Sequence, residues 1–305
     1  MRLTIVQLQV TLLLLIAAGI VCHRKGWLNN ENSKTVSRLL TSLFLPCSVL
    51  GSFQTENGKE LLAQSTQIAL LAVGIHFFYL LFVQILFRKM PGDRRAIFQF
   101  ATLCPNTNFM GIPIIDGVFG ETGVALLSAF LIPSRFFIWT VGISYFTTGT
   151  TVERLKELLK NPTLWASILG GVMMAFGLAL PSPVKSAVDS LGKCTTPLAM
   201  ILIGNIVANV KRQMLFERTV WRYCLLRLLI IPLLVLAVIK LLPVAAMAGS
   251  VTVVLTALPA GTLTTVLSAQ YGKNEQLAAT CVILSTVLSM LTVPFIQMAV
   301  QMVLG

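Results

Sequence analysis

The sequence predicts an all-α polytopic membrane protein, with ten transmembrane helices in two inverted five-helix repeats whose fourth and ninth helices are broken. Three observations predict it: an apolar composition, a one-sided distribution of basic residues, and prolines that recur at a fixed offset. Hydrophobic residues make up 56% of the 305 residues and charged residues 11%, whereas a soluble domain is about 25% charged. So little polar surface cannot cover a water-facing globule, and lipid is the expected solvent. Disordered, collagen-like and disulfide-scaffold chains are excluded on the same counts.

A helix needs about 20 apolar residues to cross a bilayer. Ten stretches qualify, at about 3–22, 34–53, 61–87, 96–117, 122–148, 163–180, 184–210, 219–242, 244–270 and 277–304. The first reads as a retained span, because its apolar run is too long for a secretory signal and His23-Arg24-Lys25 follows it.

The net charge of +12 would suggest nucleic acid in a soluble protein. Here its placement among the loops accounts for it. The odd-numbered loops hold fourteen basic residues, Arg88, Lys89, Arg94 and Arg95 among them, and the opposite side holds four, Arg2, Lys59, Lys185 and Lys240. Basic loops stay in the cytoplasm, so both termini are expected outside the plasma membrane, with no nucleic-acid partner. No loop is long enough for a soluble catalytic domain, so no enzyme is expected. The longest cytoplasmic loop contains Val152-Glu153-Arg154-Leu155-Lys156-Glu157-Leu158-Leu159-Lys160, and reads as a linker at 151–162 between a first repeat at 1–150 and a second at 163–305.

The repeat rests on matched offsets. Pro46 and Pro197 are 151 residues apart, Pro105 and Pro259 are 154 apart, and Glu121 and Glu275 are again 154 apart. Five spans per half is an odd number, so the halves must face opposite ways, a frequent plan in secondary transporters. Spans 4 and 9 are the informative pair. Span 4 reads Leu103-Cys104-Pro105-Asn106-Thr107-Asn108-Phe109-Met110-Gly111-Ile112-Pro113, and span 9 reads Ala257-Leu258-Pro259-Ala260-Gly261-Thr262-Leu263-Thr264-Thr265. Proline removes a backbone donor and clashes with the preceding turn. Irregular backbone at membrane depth survives only inside protein or beside a wet cavity. Two broken helices at matching positions point to a substrate site, and their half-helix N-termini favour an anion.

These residues resemble the auxin efflux carrier family of membrane transporters. The resemblance is carried by Pro105-Asn106-Thr107 with Gly111 and Pro113, the Leu45-Pro46 break, Thr196-Pro197-Leu198-Ala199-Met200, the Arg227 and Pro232 pair, and Leu284-Ser285-Thr286 with Pro294. It covers essentially the whole chain. Plant exporters have Asn where this chain has Cys104, and the short linker is more similar to bacterial members. The resemblance implies a scaffold of spans 1, 2, 6 and 7 that dimerises, and a mobile transport domain of spans 3–5 and 8–10 in which helices 4 and 9 cross. It implies a small organic anion as substrate, as family members move auxin, malate and malonate. The candidate substrate-binding residues are then Asn106, Thr107, Asn108, Arg135, Gly261 and Thr262, and the helix-crossover residues are Pro105, Gly111, Pro113 and Pro259.

Other polar residues carry separate expectations. Arg135 falls near the bilayer centre, where a charge costs about 2.5–3.5 kcal/mol to insert, and reads as an anion ligand or a buried arginine satisfied by carbonyls. Arg227 could snorkel and reads as structural. Asn205 could bond across helices, Lys193 and Asp189 could pair, and His76 could make a polar core contact or relay a proton. The six cysteines read as small apolar fillers. No Cys/His cluster and no phosphate-binding loop occurs, so neither a metal, a cofactor nor ATP drive is expected. Two function classes stand at this point. One is a secondary transporter exporting or exchanging a small organic anion, with a proton- or sodium-coupled symporter as a variant. The other is a non-transporting sensor or interaction protein, and a passive channel is weaker than either.

Overall fold

A computed structural model describes residues 5–29, 32–54, 58–146, 159, 162–208 and 217–304. Apart from Leu159 and Pro162, the expected linker at 151–162 lies outside the described residues. Among the described residues every regular element is a helix. Among the described residues six helical runs are long and apolar enough to cross a membrane: Asn32–Ser52, Glu60–Leu86, Phe109–Gly142, Ser182–Ala208, Arg218–Leu241 and Glu275–Leu304. Three shorter apolar helices accompany them, Val10–Arg24, Pro162–Ala175 and Ala246–Thr256. Large apolar side chains such as Leu14, Leu70, Ile85, Phe176 and Leu291 lie on the outside, the arrangement expected of a multi-pass membrane protein in lipid. The boundary expected between spans 4 and 5 falls at a kink: Gly120, at φ 66°, ψ −162°, separates two helices within Ile112–Phe137. Glycine alone adopts that backbone without strain.

The chain packs as two compact units. The first comprises Met1–Ile68, Asn108–Ala129 and Asn161–Val210. It contains α1 (Ile5–Arg24), α2 (Asn32–Leu39), α3 (Leu45–Ser52), the start of α4 (Gly58–Leu86), the first part of α6 (Ile112–Phe137), α7 (Pro162–Ala175), α8 (Ser182–Lys193) and α9 (Thr195–Ala208). Its most extensive helix pair is α1 on α9. A Cβ on Gly19 would overlap the Ile201 carbonyl, and one on Gly204 would overlap the Ile16 carbonyl. Small residues let membrane helices approach this closely. His23 Nδ1 lies 2.8 Å from Asn205 Oδ1 and links the same two helices, the cross-helix bond expected of Asn205. Gly170 leaves room for the Phe53 ring, and Gly192 lies against the Ser48 backbone.

The second unit comprises Ala69–Thr107, Phe130–Lys160 and Lys211–Gly305. It contains most of α4, α5 (Gly92–Leu103), the end of α6, α10 (Arg218–Leu225), α11 (Ile231–Leu241), α12 (Ala246–Thr256), α13 (Leu263–Gln270) and α14 (Glu275–Leu304). Helix α14 packs on α5, α10, α12 and α13. The core includes Phe98, Phe100, Ala260, Cys281 and Leu284. Among the described residues two ion pairs bind this unit, Arg94 with Glu217 at 2.6 Å and Lys273 with Asp93 at 2.8 Å.

Three prolines inside the spans follow widened turns. The π-helical segments Leu40–Phe44, Thr107–Gly111 and Leu226–Ile230 each end two residues before a proline, namely Pro46, Pro113 and Pro232, whereas Pro133 and Pro294 sit within α-helices. A proline leaves the carbonyl four residues back without its donor. Bonds spanning five residues, such as Leu45 N–H to the Leu40 carbonyl and Ile231 N–H to the Leu226 carbonyl, carry the chain up to it.

Candidate functional site

Helix α5 ends at Leu103, and Cys104 leaves helical geometry at φ −111°, ψ 89°. Helical structure resumes at Thr107. Helix α12 ends at Thr256, and α13 resumes at Leu263. The two breaks pair with each other as an antiparallel bridge between Pro105 and Ala260. Asn106 N–H donates to the Pro259 carbonyl at 2.8 Å, and Gly261 N–H donates to the Cys104 carbonyl at 2.8 Å. Each break thus satisfies backbone groups that the other exposes, as the membrane interior demands. A side chain at position 261 would not fit, since its Cβ would stand 2.9 Å from the Cys104 oxygen and 3.0 Å from Cys104 Sγ. Ser285 on α14 completes the join, its Oγ accepting from Ala260 N–H at 3.1 Å.

Two carbonyls at the ends of the broken helices lose their ordinary donors. In unbroken helices the Thr102 oxygen would receive Asn106 N–H, and the Leu258 oxygen would receive Thr262 N–H. Arg227 supplies both. Its Nη1 donates to the Thr102 carbonyl at 3.1 Å and its Nε to the Leu258 carbonyl at 3.1 Å. Nη1 also reaches the Tyr79 hydroxyl at 3.1 Å, and the guanidinium carbon lies 5.5 Å from the Tyr79 ring centroid. Arg227 is 0% exposed. The expected snorkelling is therefore corrected: carbonyl oxygens hold the charge at depth, inside the π-helical segment.

On the other side of the breaks, donors are free. The N–H groups of Thr262 and Leu263 take no partner among the described residues. Both residues are half-buried. The Thr264 hydroxyl, fully buried one residue on, has no partner there either. This is the unsatisfied helix N-terminus that attracts anions.

Of the sequence-derived site residues, the structure brings together Pro105, Asn106, Pro259 and Gly261, with Thr107 and Thr262 at the restarting helices. Asn106 and Thr107 are buried, and Thr107 N–H bonds the Pro105 carbonyl at 2.9 Å. The Asn108 side chain lies outside the described residues. Gly111 and Pro113 close the π-helical segment and pack with the first unit. Arg135 lies in the last turn of α6, buried, with Nη1 unpartnered among the described residues. No hydrogen bond joins it to the paired breaks. His76 stacks on Phe137 with centroids 5.2 Å apart. Its Nδ1 lies 2.7 Å from the Ala72 carbonyl and so carries the proton, and its buried Nε2 has no partner among the described residues. Asp189 and Lys193 line a polar cavity of the first unit with Asp116 and Glu121, and no ion pair joins the two among the described residues. The work of Arg227, Tyr79 and Ser285 escaped the sequence. The usable signal was a mid-span arginine with no acid at matching depth, which implies backbone carbonyls as its partners.

A family model described as membrane transport protein matches residues 4–153 and 144–297. The chain is 24% identical over 294 residues to an uncharacterized transporter of Methanothermobacter thermautotrophicus, covering 93% of this chain and 94% of that protein. It is 24% identical over 296 residues to an uncharacterized transporter of Methanocaldococcus jannaschii, covering 92% and 94%. To the uncharacterized transporter YfdV of Escherichia coli (strain K12) it is 22% identical over 241 residues, covering 74% and 76%.

Proposed function

From the premise that this chain belongs to the membrane transport protein family, the auxin efflux carriers, we propose that it moves a small organic carboxylate across the membrane by alternating access, in efflux or exchange. The observation that carries the reading is the pair of bridged helix breaks with free N–H groups at Thr262 and Leu263. Broken helices with half-helix N-termini aimed at a common point are the substrate-binding device of many secondary transporters. In this reading the carboxylate accepts from those N–H groups beside Gly261, with Asn106 and Thr107 shaping the other side. Arg135 contributes a planar fork matched to carboxylate oxygens. The wider arrangement is ten spans in two inverted repeats, with a dimerising scaffold, a mobile transport domain, and both termini outside the plasma membrane. An inside-negative potential drives an anion outward with about 2.3 kcal/mol per charge per 100 mV, so export needs no coupled ion.

The test is a thermal-shift screen of the purified protein against mono- and dicarboxylates. A ligand at 100 times its dissociation constant stabilises by about 2.7 kcal/mol, and failure of every carboxylate to raise the melting temperature refutes the reading. One observation favours a proton-coupled variant, the unpartnered buried Nε2 of His76. In that variant transport by proteoliposomes follows an imposed pH gradient, and His76→Gln abolishes the dependence.

A further inference from the structure

We propose that Arg227 sets the charge of the site: it balances the two helix C-termini at the breaks and leaves one uncompensated positive charge for a singly charged anionic group. The inference rests on the carboxylate reading above and adds the residue that decides charge selectivity.

Four helix ends meet at the paired breaks. The C-termini of α5 and α12 end there, and helices restart at Thr107 and Leu263. A helix end carries about half an elementary charge, negative at the C-terminus and positive at the N-terminus. The four ends alone therefore sum to zero. Such a site would hold a neutral polar group as readily as an ion. Arg227 alters the sum by one full charge. It is placed on the C-terminal side, bonded at 3.1 Å to the carbonyls of Thr102 and Leu258. Two half-charges there offset one guanidinium, and the two N-terminal ends are left unopposed.

Nothing else among the described residues cancels Arg227. The ion pairs of this unit, Arg94 with Glu217 and Lys273 with Asp93, do not involve it. Its close polar side-chain neighbour is the hydroxyl of Tyr79. Two unpartnered groups mark where compensation is missing: Arg227 Nη2 itself, and the Thr264 hydroxyl in the first turn of α13. Both belong to fully buried residues, where low dielectric strengthens any charge–dipole interaction.

The experiment compares each carboxylate with its uncharged amide on the purified full chain: acetate with acetamide, benzoate with benzamide, and malonate with malonamide. Binding is read by thermal shift or calorimetry. Wild-type protein is expected to prefer the carboxylate of at least one pair at least tenfold. In Arg227→Gln that ratio is expected to collapse at least tenfold while amide binding stays within about threefold, and Arg227→Lys is expected to restore much of it. A purely structural role would lower the melting temperature without changing the ratio. Tyr79→Glu keeps both carbonyl bonds and cancels the charge, so it carries the test if the Arg227 variants fail to fold; Tyr79→Phe is its charge-preserving control. A preserved carboxylate-to-amide ratio in Arg227→Gln or in Tyr79→Glu overturns the inference. Failure of wild-type protein to bind any of the carboxylates overturns the carboxylate reading instead.

Discussion

In the first unit α1 and α9 meet with no side chain between their backbones at Gly19 and Gly204. In the second, two segments that are not helical pair backbone to backbone, held by the Asn106 and Gly261 amides and by a buried arginine. The first contact is made by shape. It has no charge to lose and fails when volume is added. The second is made by donors and acceptors in a medium that offers no substitutes, and fails when one partner is removed. A helix pair locked by shape suits a part that keeps its form, whereas exchangeable hydrogen bonds at a helix break suit a part that meets a polar ligand.

The largest effect breaks the contact made by shape. Gly19→Leu drives a side chain into the Ile201 backbone, and the expected loss is about 3 kcal/mol or more. Thermal unfolding in detergent checks it; an unchanged melting temperature would mean that α1 and α9 are not in contact. Next comes the same kind of insertion at the polar contact. Gly261→Ala places a methyl 2.9 Å from the Cys104 oxygen, for a loss of about 1–3 kcal/mol together with impaired transport. Normal transport at wild-type stability would show that the bridge yields easily. A double-mutant cycle on His23→Ala and Asn205→Ala then asks how much polarity adds to the glycine contact. Coupling of about 0.6 kcal/mol is expected, the usual size between membrane helices, and zero coupling would leave shape alone holding the pair. Last comes Asn106→Ala, which keeps the backbone amide that the bridge uses, so the bridge is expected to survive with a loss of at most about 1–3 kcal/mol while substrate transport is lost. A large drop in melting temperature with transport retained would reverse the assignment.

The apolar runs made the helices legible, because few other structures bury that much hydrocarbon and leave so little polar surface. The breaks were legible for a different reason: Pro105 and Pro259 each remove a donor at a depth where the loss must be made good. That they repair each other was not readable. Backbone pairing between residues this far apart leaves no mark on side-chain identity, save Gly261, where a close approach forbids a side chain. Arg227 was legible as structural, but its partners were not, since they are carbonyls that every residue possesses. Asn205 announced a cross-helix bond, but His23 stands 182 residues away and only the packing of α1 on α9 identifies it. The boundary between spans 4 and 5 was legible as well, because the kink at Gly120 falls between their expected ends.

The widened turn at Leu226–Ile230 also bears on insertions and deletions. It holds one residue more per turn than an α-helical path, so excising one residue there would let the turn close to α-helical geometry and leave α11 near its present phase, whereas the same excision from a regular turn would rotate α11 by about 100° and retract it by about 1.5 Å. Apolarity would barely resist such a change. Leu233, Leu234, Val238 and Leu241 face outward while Ile231, Val235, Leu236 and Ile239 face inward, so both sides of α11 are hydrocarbon and the rotation of this helix is nearly degenerate in composition. Arg227 breaks the degeneracy, since only one phase of the turn points its guanidinium at the Thr102 and Leu258 oxygens. Single-residue deletions at 228–230 should therefore keep this anchor, whereas single-residue deletions in the regular turns of α10 should insert and fold while losing it, separating the information that makes a helix cross a bilayer from the information that fixes which way it faces.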